Sequence, residues 1–304
     1  MKAKQATFNP DRRAYLRITL GVLLIGTGPM FVKYVNANGA LVAFYRVLFA
    51  AVMLTIPAMR QKPAPAAGYS KKDQFLWAVL GGLSFAVNMT LWTMALNLAT
   101  ASTVTLLDNT APVWVGLFTW LVLGKKQTGQ YWLGLALALA GAFLLIASDG
   151  NAFSGDGACG SVLAILAGIT YAWYLLVSKK CRAMMPSLRY TWLVALFAAI
   201  FLFLYTLATG VIKEILPLKS YFLIFLLALI SQVVGWYFIN DALGKLPATA
   251  SSVALVGQPL VTTILGIFIL SEIPTAWQIL GGLACLAGIV IVQRSFNNGK
   301  ITKQ

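Results

Sequence analysis

Ten stretches of this chain are apolar for long enough to cross a lipid bilayer as helices, and no segment between them is long enough to fold alone. A helix crossing the roughly 30 Å hydrocarbon layer needs about 17 to 25 mostly apolar residues. Windows meeting that demand run over Ala14 to Val35, Leu41 to Met59, Phe75 to Leu98, Ser102 to Leu123, Tyr131 to Ala147, Ala158 to Val177, Tyr190 to Thr209, Tyr221 to Leu243, Pro247 to Leu270 and Trp277 to Gln293. The longest connection, from Arg60 to Gln74, carries Pro63, Pro65 and Gly68 and reads as a surface loop. Of the 304 residues 60% are apolar and 10% charged, against about 45 to 50% and about 25% in soluble domains. The expected fold class is an all-α integral membrane protein with ten transmembrane helices. Lys2, Lys4, Arg12 and Arg13 before the first span superficially resemble a secretory leader, but that span is too long, and it reads as retained.

The absence of histidine removes the commonest general base and metal ligand. Ser-His-Asp hydrolysis and HExxH proteolysis are excluded, and neither a catalytic residue nor a metal is expected. Cys159, Cys181 and Cys285 form no CxxC pair and read as small apolar residues inside helices. Neither Gly124-Lys125 nor Gly244-Lys245 completes a GxxxxGK phosphate cradle, so ATP coupling is excluded and no cofactor is expected. The net charge is +15, with 23 Lys and Arg against 8 Asp and Glu. If the N-terminus is cytoplasmic, nineteen of the basic residues fall on the cytoplasmic side, Lys33, Lys213 and Lys219 on the other, and Arg46 inside the second span. That is the positive-inside asymmetry. It places both termini in the cytoplasm and the chain in the cytoplasmic (inner) membrane, and it explains the charge without nucleic acid.

The chain also matches itself at a shift of 147 residues, without a gap across the third, fourth and fifth spans. Ser84 pairs with Ser231, Pro112 with Pro259, Thr128 with Thr275, Gly134 with Gly281 and Gly141 with Gly288, and the shift also carries Gly21 to Gly168 and Lys33 to Lys180. Each copy holds five spans. Because five is odd, the second copy enters the membrane from the opposite face. The expected halves are residues 1–149 and 150–304, two inverted five-helix repeats of the kind that alternating-access transporters use. Gly134 with Gly141, and Gly281 with Gly288, share a helix face and read as close-packing positions.

The stretch LWTMALNLATASTVTLLDNTAPVWVGLFTWLVLG, from Leu91 to Gly124, resembles the ten-helix EamA-type transporters of the drug/metabolite transporter superfamily. The likeness rests on Leu106, Leu107, Asn109 and Pro112 followed by an apolar run ending in Gly. It rests also on ATASSVALVGQPLVTTILGIFILSE, closing at Ser271 and Glu272, and on Arg46 in FYRVLFAAVML. The first copy departs from the pattern with Lys125 and Lys126 where an acidic residue is usual, and with Asp108 where the family has an apolar or small one. The resemblance implies a small-metabolite carrier, often an exporter, with a cavity lined by the third, fourth, eighth and ninth spans.

Ionisable residues deep in a bilayer cost at least about 2.5 to 3.5 kcal/mol and are functional candidates by default. Two lie clearly inside, Arg46 and Asp108, both roughly 10 Å from the outer face at 1.5 Å per residue. They read as a shared polar site, or as an ion pair that serves insertion alone. Asn88 and Trp92 share one helix face, as do Gln232 and Trp236, and with Asn109 and Gln258 they complete the expected substrate-binding set. Pro112 and Pro259 are the expected helix breaks, freeing the carbonyls of Asp108 and Leu255.

The function expected from these residues is secondary transport of a small polar metabolite, an amino acid or related compound, by export through alternating access. Asp108 would exchange protons. The alternatives are uptake or exchange of a nucleoside-, nucleotide- or vitamin-like metabolite, an intramembrane enzyme, and a scaffold or sensor without flux. The expected assembly is a monomer or weak homodimer.

Overall fold

The computed structural model describes residues 12–61, 70–124, 126–147, 155–182, 184–243 and 257–301. Among these the chain is helical, without strands, as it must be where lipid offers the backbone no hydrogen-bond partner. The first span consists of helices Arg12–Gly26 and Gly28–Val35; the second is Gly39–Arg60 and the third Lys71–Leu98. The fourth consists of Ala101–Asp108 and Ala111–Leu123, and the fifth is Gly129–Ala147. Asp156–Arg182 and Ser187–Ala208 are the sixth and seventh. The eighth runs from Leu218–Leu227 through a π-helical segment, Ala228–Gly235, into Trp236–Leu243. The ninth is Gly257–Leu265 followed by a π-helical Gly266–Leu270, and the tenth is Ala276–Ile301. The boundary expected between residues 149 and 150, the expected start of the ninth span at Pro247, and Leu255 lie outside the described residues.

Seven of these runs are long and apolar enough to cross a membrane unaided. The fourth is not among them because it stops at Asp108 and restarts at Ala111. Pro112 is the cause: it sits in the first turn of the second piece, where its missing N–H costs nothing, and it prevents an unbroken ladder.

Helix neighbours respect an exchange of the two halves. The third span lies against the sixth and the first against the eighth; the second lies against the seventh, and the fifth against the tenth. The last pair also gives the relative direction. A methyl group on Gly134 would fall 2.9 Å from the carbonyl oxygen of Gly288, and one on Gly141 would fall 2.6 Å from that of Gly281. As numbering rises along the fifth span it falls along the tenth, so the two run antiparallel. This is the inversion that five spans per repeat require. Small residues at both contacts let the backbones interlock, as expected for glycines in lipid.

Candidate functional site

Three interrupted helices border the centre of the molecule. The first span breaks at Thr27, whose hydroxyl donates to the carbonyl of Leu24 at 2.6 Å, and restarts with Pro29 in its first turn. The fourth breaks at Asn109 and Thr110. The eighth passes through its π-helical segment at Ser231 and Gln232. Such a segment bonds each N–H to the carbonyl five residues back rather than four and re-aims the side chains it carries.

Arg46, on the second span, is only 4% exposed. Its Nη2 donates to Ser231 Oγ at 3.5 Å, and its guanidinium carbon lies 5.2 Å from the centre of the Trp92 ring. Cation–π contact of this kind stabilises a cation withdrawn from water. Nε and Nη1 of the guanidinium have no protein partner. Gly28 leaves room at this point: a Cβ there would stand 3.3 Å from Ser231 Oγ and 3.7 Å from the Trp92 ring.

One turn before Trp92 on the same face, the Asn88 amide nitrogen donates to the Ala167 carbonyl at 2.9 Å and to Asp108 Oδ1 at 3.4 Å. Asp108 is 9% exposed and ends the first helix of the fourth span. Arg46 and Asp108 therefore join one polar site through Trp92 and Asn88, without direct pairing; among the described residues the ion pair is that of Lys33 with Glu272. Asn88 Oδ1, Thr105 Oγ1 and Gln232 Oε1 are buried acceptors without a protein partner. Buried polar atoms in native proteins are almost always satisfied, so the free donors of Arg46 and the free acceptor of Asn88 beside Asp108 mark a place suited to a polar guest.

The remaining expected residues take different positions. Trp236 is half-buried and meets Tyr171 edge-on at 6.4 Å; Tyr171 stacks beside Tyr174, and Tyr174 touches Phe85. Asn109 turns back on its own helix, its amide donating to the Thr105 carbonyl at 2.8 Å. Gln258 is half-buried and Pro259 buried in the first turn of the ninth span. Sequence reasoning missed Ser231 and Thr105 as site residues, and it missed the break in the first span. The Gly26-Thr27-Gly28-Pro29 run was a readable signal for that break. A cavity of about 220 Å³ lies apart from this cluster, between the fourth, ninth and tenth spans.

Inverted halves around a polar centre made of interrupted helices are the architecture of membrane transporters. The chain belongs to the EamA-like transporter family, whose model matches residues 12–147 and again residues 158–294. It is 28% identical over 188 residues to the uncharacterized transporter YwfM of Bacillus subtilis, covering 60% of this chain and 61% of that protein's length. An uncharacterized transporter of Archaeoglobus fulgidus is 27% identical over 292 residues, covering 92% of this chain and 97% of that protein. One crystal structure shares the fold at TM-score 0.61 and 15% identity, over 96% of this chain and 99% of that one.

Proposed function

We propose that this protein is a secondary transporter, not an enzyme, that exports an amino acid or related small metabolite across the cytoplasmic membrane by alternating access. Its halves are residues 1–149 and 150–304, and both termini face the cytoplasm. The observation that carries this reading is the buried set of free donors on Arg46 and the free acceptor on Asn88 beside Asp108, to which Gln232, next to Ser231, and Thr105, one turn before Asp108, add unpartnered oxygens. A substrate carboxylate fits the free N–H donors of Arg46 on Nε and Nη1, since hydrogen bonds between a guanidinium and a carboxylate are charge-assisted. A substrate ammonium, with three donors and no acceptor, fits Asp108 and the amide oxygens of Asn88 and Gln232. Trp92, Trp236 and Tyr171 form the apolar walls, and Asn109, Gln258, Pro112 and Pro259 shape the helix segments that flank it. Asp108 exchanges a proton as substrate leaves. The protein works as a monomer or weak homodimer.

The test is an uptake panel in proteoliposomes, run with and without a pH difference, in which amino acids compete with nucleosides and vitamins. Amino-acid flux driven by the pH difference is expected, lost about tenfold or more on Asp108→Asn, in keeping with the removal of a charged hydrogen-bond partner. Flux of nucleosides alone, or equal flux in both proteins, contradicts the reading.

A further inference from the structure

Lys33 and Glu272 lie on the face of the molecule opposite the expected position of the termini, and they tie three spans together. Lys33, near the end of the first span, donates from Nζ to the carbonyl of Ala99 at 2.7 Å and stands 3.4 Å from Glu272 Oε1. Glu272, just beyond the ninth span, accepts the backbone N–H of Ala101 at 2.8 Å through Oε2. That N–H opens the fourth span, where a carboxylate also meets the favourable end of the helix dipole. The Tyr34 hydroxyl adds a bond to the carbonyl of Ile269 at 3.1 Å. Ser271 in the left-handed conformation, φ 57°, with the N–H of Glu272 bonded to the carbonyl of Gly266, turns the chain so that the carboxylate reaches across.

The other face carries no copy of this arrangement in the sequence. The 147-residue shift sets Lys180 against Lys33, but it sets Lys125 against Glu272.

We infer that the Lys33–Glu272 contact, with the backbone of Ala99 and Ala101, is a latch that closes the Lys33 face and sets the face to which the transporter opens at rest. This rests on the alternating-access reading above. The two conformations of an inverted-repeat carrier are close in energy, so a ligand or contact present in one alone shifts the population by its own free energy. An ion pair made in one conformation alone biases the equilibrium without touching the central site.

The test uses Ser231→Cys as a reporter beside Arg46, in the full chain carrying Cys159→Ser, Cys181→Ala and Cys285→Ala, with a charged, membrane-impermeant methanethiosulfonate applied to each face in turn. The reporter protein is expected to react faster from the face of the termini. Lys33→Gln and Glu272→Gln each raise the rate from the Lys33 face by about fivefold or more, within the range of ordinary coupling between sites, and lower it from the other. Glu272→Gln keeps an oxygen for the Ala101 N–H, so its effect isolates the charge. Rates unchanged by these variants, or raised from both faces together, overturn the latch. Equal reaction from both faces before any latch residue is changed overturns alternating access itself.

Discussion

The third and eighth spans hold equivalent places in the two halves, yet they carry different chemistry. The third is a single α-helix of 28 residues, begun by a capping box between Ser70 and Asp73. The eighth is α-helical only to Leu227 and then π-helical to Gly235. At matched positions Asn88 faces Gly235, Phe85 faces Gln232 and Ser84 faces Ser231. Asn88 reaches the backbone of the sixth span through its amide, whereas Gly235 lets the eighth span press against the first, where a Cβ would come within 2.8 Å of Ile25. Ser84 bonds to its own helix at Leu80, and Ser231 instead meets Arg46. The charges are one-sided as well: the shift pairs Arg46 with Leu193 and Asp108 with Leu255. The scaffold is symmetric and the polar site is not. In the proposed transport cycle, symmetry of the scaffold supplies two related conformations, and asymmetry of the side chains gives a guest one orientation.

Four substitutions break or sharpen this comparison, in falling order of effect. Arg46→Ala removes the guanidinium that joins the second span to Trp92 and Ser231, and should lower flux by about two orders of magnitude in proteoliposomes, the loss typical of truncating a buried charged contact. Gly235→Ala gives the second half a side chain at the contact where the first half has Asn88. It should destabilise the protein by about 1 to 3 kcal/mol, the usual cost of overpacking, read from unfolding in detergent. Ser231→Ala removes one neutral partner of Arg46, and a fall in flux of about fivefold is expected from one hydrogen bond of about 1 kcal/mol. Ser84→Ala, its counterpart, should stay within about 0.5 kcal/mol of the parent in stability and leave flux unchanged.

Much of the architecture was legible in the sequence because it depends on quantities that sequence records directly. Apolar run length gave the spans, and the parity of five gave the inversion. The spacing of Gly134, Gly141, Gly281 and Gly288 marked the interlocked pair. Asn88 and Trp92 could be placed on one face because an α-helix repeats on a fixed period. The π-helical segment could not be read, since an apolar run looks the same whether its bonds span four residues or five. Ser231 and Thr105 went unread for a different reason: a hydroxyl in a span normally serves its own backbone, as Ser84 does. Asn109 shows the converse, an amide whose side chain bonds back to its own helix. The Lys33–Glu272 contact joins residues far apart in the chain across three helix ends, and no local pattern announces it.

The most direct measurement of the central claim is calorimetric binding of an amino acid that the uptake panel identifies, set beside its methyl ester and its N-acetyl derivative. With carboxylate at Arg46 and ammonium at Asp108, the parent protein binds the zwitterion and binds each derivative at least about tenfold more weakly, Arg46→Ala loses discrimination against the ester alone, and Asp108→Asn loses it against the N-acetyl form alone. Equal affinity of the parent for all three compounds would contradict the account.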